Sequence, residues 1–111
     1  MHEMGITRNI VSIVTERAKA KKVKRIQLEI GKLSAVMPDA LRFCFDVVAK
    51  GTVLEGAILE IIEVVGQAKC RSCGQEVELH QVVTACMCGS RDLERLSGAE
   101  LNIKEMELEA V

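Results

Sequence analysis

The segment GQAKCRSCGQEVELHQVVTACMCGSRDLERLSG, residues 66–98, holds four of the five cysteines of this 111-residue chain. They form two short motifs, Cys70-Arg-Ser-Cys73 and Cys86-Met-Cys88, and a glycine follows each motif, where a tight turn benefits from positive φ. Two such motifs brought together supply the tetrahedral sulfur cage that zinc prefers. The sequence therefore predicts a zinc-ribbon-like segment with Cys70, Cys73, Cys86 and Cys88 as ligands.

Other interpretations of these cysteines stay open. His80, between the two motifs, is an alternative ligand in place of Cys86 or Cys88, although a loop histidine is more often solvated. A redox dithiol at Cys70 and Cys73 would follow a strand and open a helix, and four unligated thiols are the simplest alternative. A zinc held by four thiolates has no open position for water, so the predicted zinc is structural.

Three segments outside the cysteine segment have the residue patterns of β-strands. Residues 25–30, which end at Gly31, alternate between apolar and polar residues. Residues 57–65 are rich in β-branched residues, and residues 101–108 again alternate between apolar and polar residues. In the third segment the apolar residues change phase near Lys104 and Glu105, which predicts a bulge there.

Two further segments have the apolar period of a helix. The first covers about residues 4–20, and its apolar residues are Ile6, Ile10, Ile13, Val14 and Ala18. The second begins at Pro38 and Asp39 and ends at Gly51, with an apolar face of Leu41, Phe45, Val48 and Ala49. Cys44 lies on or beside this face, where a lone cysteine is usually a small core residue.

The order of these elements predicts an α+β fold. A small three-stranded, mostly antiparallel sheet with two helices comprises residues 1–66 and 99–111, and residues 67–98 form the inserted zinc-binding domain. Gly66 and Gly98 would be its hinges. An insert on two hinges also permits a domain-swapped homodimer.

Composition excludes several function classes. The net charge is −1 and aromatic residues make up 2%, whereas nucleic-acid binding calls for a basic or aromatic surface. No apolar run is long enough to span a membrane, and no secretory signal is visible, so a cytoplasmic protein is expected, in which cysteines bind metals rather than form disulfides. No Walker loop, Ser–His–Asp set or open metal site indicates an enzyme.

The chain opens Met1-His2-Glu3. The amine of Met1, the backbone nitrogens of His2 and Glu3 and the imidazole of His2 can reach one ion as a planar set of four nitrogens, which suits Ni(II) or Cu(II). Glu3 would ligate the ion directly or tune the site from outside it. Taken alone the motif is weak, since a histidine at the second position commonly has no metal role.

Together these motifs resemble those of the HypA/HybF family, the hydrogenase nickel-incorporation proteins. The resemblance covers essentially the whole chain. One departure concerns the family pattern C-P-x-C-G-S: residues 85–90 read Ala-Cys-Met-Cys-Gly-Ser, so Cys86 is displaced by one residue and the proline is absent. The matching motifs are Met1-His2-Glu3, Gly31-Lys32-Leu33-Ser34, Leu41-Arg42-Phe43, Gly51-Thr52, Glu55-Gly56-Ala57, Cys88-Gly89-Ser90 and Gly98-Ala99-Glu100-Leu101.

The resemblance implies a nickel metallochaperone. Ni(II) would bind at Met1, His2 and Glu3 and pass to the large subunit of [NiFe]-hydrogenase, with the GTPase HypB as partner; some members serve urease, and both targets stay open. A structural Zn(II) would be held by the cysteines of the two motifs. The alternative is a zinc-ribbon interaction module without nickel delivery.

Overall fold

The computed structural model describes residues 2–80 and 85–110, without the side chain of His2. Within these ranges the two helices and the mostly antiparallel pairing confirm the predicted α+β class. The strands form two three-stranded sheets, in the order β2-β1-β6 and β4-β3-β5. The elements are α1 (His2–Ala18), β1 (Val23–Gly31), α2 (Pro38–Val48), β2 (Ile58–Val64), β3 (Gly66–Cys70), β4 (Glu76–Leu79), β5 (Leu93–Ser97) and β6 (Leu101–Leu108).

The chain forms two compact units. The first contains the residues up to Leu28, Val36–Ile62 and the residues from Asn102 onward. The second contains Glu29–Ala35 and Glu63–Leu101. The cysteine segment thus lies in the second unit, together with a short stretch at the end of β1, and the boundaries at residues 67 and 98 stay a prediction.

Helix α1 buries a stripe that differs in part from the predicted one. Thr7 and Val11 are buried, at 1% and 6% exposure, whereas Ile13 is 44% exposed. Positions 7, 11, 14 and 18 form one row along a helix, and Ile13 lies about 100° of rotation away from Val14. Ile13, one of the apolar residues from which this helix was predicted, therefore lies outside the buried face.

Helix α2 begins at Pro38, as predicted, with Met37 as its N-cap residue. Proline suits the first turn because its missing N–H would have no helical acceptor there. Leu41, Phe45 and Ala49 are buried as expected, and Val48 is half-buried. In the part of the chain that the structure describes, no helix is both long and apolar enough to cross a membrane.

Strands β1 and β6 pair antiparallel. The amide of Gly31 donates to the carbonyl of Glu100 at 2.8 Å, and the amide of Glu109 donates to the carbonyl of Lys22 at 2.9 Å, so the two chains run in opposite directions. Along β6 the half-buried residues show the predicted change of phase, and the bulge itself stays a prediction. These residues are Ile103, Met106 and Leu108.

Strands β1 and β2 run parallel. The side-chain amide of Gln27 donates to the carboxylate of Glu60, and further along both strands the backbone amide of Lys32 donates to the carbonyl of Val64 at 2.9 Å. Parallel neighbours need a crossover connection, which α2 supplies in the chain between them.

Strand β3 is the centre of the second sheet and pairs antiparallel with both neighbours. Its residues Gly66, Ala68 and Cys70 are buried, and the residues between them are exposed. On one side Lys69 lies opposite Glu76. On the other side Cys70 lies opposite Leu93, so β3 delivers the first cysteine to a buried position at the end of a sheet.

Three glycines approach each other closely in the second unit. A Cβ added to Gly31 would lie 2.0 Å from the carbonyl oxygen of Gly98. A Cβ added to Gly98, whose φ is +114°, would lie 2.6 Å from the Cα of Gly66. The amide of Leu33 donates to the carbonyl of Gly98 at 2.7 Å. The backbones therefore meet at a distance that only glycine permits.

Candidate metal centre

The first cysteine motif forms a tight turn at the end of β3. The amide of Gly74 donates to the carbonyl of Cys70 at 2.8 Å, and the amide of Cys70 donates to the carbonyl of Gln75 at 2.9 Å. Gly74 has a φ of +78°, a conformation that glycine adopts without strain. The turn therefore places Cys70 and Cys73 on the same side.

The second motif repeats these two hydrogen bonds with one residue fewer. The amide of Gly89 donates to the carbonyl of Cys86, and the amide of Cys86 donates to the carbonyl of Ser90, both at 2.8 Å. Gly89 has a φ of +92°. A turn closed over three residues instead of four keeps the same end points. For this reason the displaced Cys86 occupies the position that corresponds to Cys70 in the first motif.

The two turns bring four sulfur atoms together. The Sγ atoms of Cys70 and Cys88 are 3.6 Å apart, as are those of Cys73 and Cys86, and all four lie within 4.8 Å of one another. All four cysteines are free thiols. Metal–sulfur bonds of about 2.3 Å in a tetrahedron place sulfurs about 3.8 Å apart, so the four cysteines could hold a metal ion, and the dimensions of the cluster fit zinc.

The four sulfurs differ in their burial and in the hydrogen bonds that they accept from backbone amides. Cys70 and Cys86 are buried, whereas Cys73 and Cys88 are exposed. Amides of Cys73 and Ser72 donate to Cys70 and lower the pKa of its thiol to about 6, against the effect of burial. The Gln75 amide lowers the pKa of Cys73, but contacts with the Cys86 and Cys70 sulfurs outweigh it and raise that pKa to about 12.

The pKa of Cys88 is likewise set by two opposing effects. The Ser90 amide lowers the pKa of this thiol, and the neighbouring sulfurs of Cys70 and Cys86 raise it above its ordinary value. Four thiolates at this separation repel each other, so they stay partly protonated unless a cation compensates their charge. A bound metal ion would therefore relieve the repulsion between the sulfurs of the cluster.

Polar side chains join the two turns beside the sulfurs. The hydroxyl of Ser72 donates to that of Ser90 at 3.0 Å. Arg71 donates to the carboxylate of Asp92 at 2.9 Å, and its amide donates to the Asp92 carbonyl. The sequence reasoning missed these residues. The available signal was a serine in or directly after each glycine-closed turn, Ser72 and Ser90, together with the opposite charges of Arg71 and Asp92.

Two other candidate residues lie outside the sulfur cluster. The side chain of His80 is 79% exposed and its Nε2 lies 3.2 Å from a carboxylate oxygen of Glu78. Cys44 is half-buried on α2. Among the residues that the structure describes, the metal-binding group contains neither. A turn rather than a helix follows Cys70, which speaks against a thioredoxin-type dithiol.

The predicted nickel site is described only in part. Met1 and the side chain of His2 lie outside the described residues, while α1 begins at His2. The carboxylate of Glu3 accepts a hydrogen bond from the backbone amide of Met37 at 3.2 Å. This contact and the amide of Glu3 itself lower the pKa of the Glu3 carboxyl, the latter more strongly. No sequence signal identifies Met37, because any residue other than proline offers a backbone amide.

The sequence was compared with known protein families and proteins. The model of a family described as HypA, hydrogenase/urease nickel incorporation, metallochaperone, matches residues 1–108. The hydrogenase maturation factor HypA of Trichormus variabilis is 60% identical over 111 residues, which cover 100% of this chain and 98% of the relative. The protein of the same name from Acidithiobacillus ferrooxidans is 45% identical over 113 residues, covering 98% and 100%.

The fold was compared with solved structures. The solution structure of the Ni metallochaperone HypA from Helicobacter pylori has a TM-score of 0.70 and covers 100% of both chains. Its sequence identity to this chain is 24%, so the likeness concerns the fold. A second solution structure, of HypA protein, has a TM-score of 0.72 at 24% identity.

Proposed function

This chain belongs to the HypA family of hydrogenase and urease nickel-incorporation metallochaperones, and we propose that it binds Ni(II) at its amino terminus and delivers the ion during [NiFe]-hydrogenase maturation. The observation that carries the proposal is the family match over residues 1–108, which includes Met1-His2-Glu3. Relatives at 60% identity that cover the whole chain are described as hydrogenase maturation factors, which favours hydrogenase over urease as the target.

The start of α1 suits a nickel site built from nitrogens. Amides in the first turn of a helix have no acceptor within that helix, and α1 begins at His2. Ni(II) bound through the Met1 amine, the His2 and Glu3 amide nitrogens and the His2 imidazole would break no helical hydrogen bond. An ion at a chain terminus is also accessible to a receiving protein.

The cysteine cluster would hold a structural Zn(II) through Cys70, Cys73, Cys86 and Cys88. Four thiolates complete a tetrahedral shell and leave no position for a reacting water. We therefore assign the zinc a structural role, and we propose that the protein is not an enzyme. Thiolate ligands persist in a reducing compartment, which favours the cytoplasm as the place of action. The proposed partners are the GTPase HypB and the hydrogenase large subunit, and a homodimer through exchange of the insert stays a prediction.

Replacing His2 with Ala should weaken Ni(II) binding by more than about 100-fold. Loss of a residue that only supports a metal ligand lowers affinity about 10- to 100-fold, and loss of a direct ligand should lower it further. Isothermal titration of the untagged, zinc-loaded chain with Ni(II) measures the change. His80→Ala is the matched control, because it removes the other histidine of the chain and should leave nickel binding unchanged.

A two-residue extension ahead of Met1 provides an independent test, because it converts the amine into an amide. It should weaken nickel binding in the same titration. If both the extended chain and His2→Ala bind nickel as tightly as the natural chain, the amino terminus is not the site. A zinc-ribbon interaction module would then be the better description.

Zinc binding should strengthen as the pH rises through the neutral range. The raised pKa values of Cys73 and Cys88 mean that both thiols carry protons at neutral pH in the metal-free chain, and zinc must displace them. Cys70, with a pKa of about 6, has already lost its proton. Each displaced proton raises the apparent affinity about tenfold per pH unit.

The expected slope is therefore about 100-fold per pH unit or steeper between about pH 7 and 8. Competition with a chromophoric zinc chelator at several pH values measures it. A slope of tenfold or less would show that the thiols are already ionised before zinc binds.

A further inference from the structure

Glu3 connects the beginnings of the two helices. Its Oε2 accepts a hydrogen bond from the backbone amide of Met37 at 3.2 Å. Met37 is the N-cap residue of α2, with φ −91° and ψ 116°, and its own side chain makes no capping hydrogen bond. A carboxylate is favoured at this place, because the first turn of a helix exposes unsatisfied N–H groups and carries partial positive charge.

The backbone of Glu3 is held at the same time. The hydroxyl of Thr7 donates to the Glu3 carbonyl at 2.6 Å, and Thr7 is 1% exposed. The Thr7 side chain is thus fixed by its surroundings, and it fixes the carbonyl of Glu3 in α1. Residue 3 is therefore anchored in α1 through its backbone and at α2 through its side chain.

Nickel binding at the Glu3 nitrogen is compatible with this arrangement, because the backbone nitrogen and the carboxylate of Glu3 are separate groups. The carboxylate keeps the Met37 amide as a partner. If it turned to the nickel as a ligand, it would leave a helix N-terminus without its acceptor, which costs the stabilisation of the cap.

Resting on the nickel site proposed above, we propose that the Glu3 carboxylate is a positioning group and not a nickel ligand, while the Glu3 backbone nitrogen stays among the ligands. Its carboxylate, bound to the Met37 amide, holds the metal-binding end of α1 against the start of α2 and so orients the nitrogens that bind Ni(II). This role requires a hydrogen-bond acceptor on the side chain of residue 3 within reach of the Met37 amide. It does not require that the side chain be negatively charged or that it bind nickel.

Three substitutions separate the two roles. Glu3→Gln keeps an acceptor oxygen at the same reach and should retain nickel affinity within about threefold, whereas a carboxylate ligand would be lost. Glu3→Asp keeps the carboxylate but is one methylene shorter, and Glu3→Ala keeps neither; both should weaken nickel binding about 10- to 100-fold, as loss of a supporting residue does. Glu16→Ala, exposed on the same helix, is the control and should bind nickel normally.

Amide hydrogen exchange at Met37 supplies a readout that does not depend on nickel. In the full-length, zinc-loaded chain the Met37 amide should be protected in the natural protein and in Glu3→Gln, and should exchange at least tenfold faster in Glu3→Ala. Protection in the absence of nickel tests the tether even where the nickel site proposed above fails, so the two failures are distinguishable.

Two results would overturn the proposal. One is a loss of nickel affinity in Glu3→Gln as large as that in Glu3→Ala while the Met37 amide stays protected, which would identify a ligand. The other is unchanged exchange of the Met37 amide in Glu3→Ala, which would show that no tether exists.

Discussion

Replacing Cys73 with Ser should release the zinc and unfold Glu63–Leu101, while α1 and α2 remain helical. Serine offers a hard oxygen in place of a soft thiolate and does not replace it as a zinc ligand. Cys73 is exposed, so the substitution opens no cavity in a core. Loss of the metal is thus the expected cause of any unfolding.

The reason for the size of this effect is the small core of the segment. Its buried hydrophobic side chains, among the described residues, are Ala68, Cys70, Leu79 and Cys86, and two of these belong to the cysteine cluster. So little apolar surface cannot offset the entropy of ordering the segment. Structural zinc contributes about 10–16 kcal/mol in small domains, so the proposed zinc would be the main source of folding free energy of this segment.

Zinc content and amide NMR spectra of the intact chain measure both effects. Cys44→Ser is the matched control, because Cys44 is the one cysteine outside the cluster, and it should keep one zinc per chain. Dispersed amide signals from residues 66–70 in zinc-free Cys73→Ser would contradict the expectation, since they would show that β3 forms without the metal.

Replacing Gly31 with Ala should destabilise the chain by about 3 kcal/mol or more, at the upper end of overpacking effects. The added Cβ would lie 2.0 Å from the carbonyl oxygen of Gly98 and 2.6 Å from the amide nitrogen of Ala99. Backbone atoms cannot move aside as a flexible side chain can. Relief of the clash would also break the hydrogen bond from the Gly31 amide to the Glu100 carbonyl.

Gly5→Ala provides the matched control for this substitution. A Cβ on Gly5 has nothing within 4 Å, and the residue lies in α1, where alanine is favoured over glycine by up to about 1 kcal/mol. The same chemical change should therefore stabilise one position and strongly destabilise the other. Urea unfolding of the zinc-loaded proteins measures both; equal midpoints for Gly31→Ala and the natural chain would refute the close approach.

Much of the candidate site was visible in the linear order of residues. The soft thiolate groups and their short spacing within each motif predicted Cys70, Cys73, Cys86 and Cys88 as ligands, because the chelating geometry of a C-x-x-C or C-x-C turn depends on only three or four consecutive residues. The apolar period likewise located both helices. Ile13 shows the limit of this reasoning: its hydrophobicity fits the helix pattern, but its side chain is exposed in the folded chain.

Other features depended on residues that are far apart in the chain. The sequence left open whether Cys86, displaced from the family pattern, could join the cluster, and only the repeated hydrogen bonds of a shorter turn place its sulfur there. The partner of Glu3 is a backbone amide 34 residues away, and the contact of Gly31 with Gly98 joins distant backbones.

Residue type and local spacing determine which atoms can bind a metal and which segments become helix or strand, because both properties depend on residues that are close together in the chain. Which sulfurs meet, which amide receives the Glu3 carboxylate and where two backbones touch are decided by packing between segments. Backbone amides are the same in nearly every residue, and a glycine does not show which backbone it approaches. Only the folded chain therefore reveals these contacts.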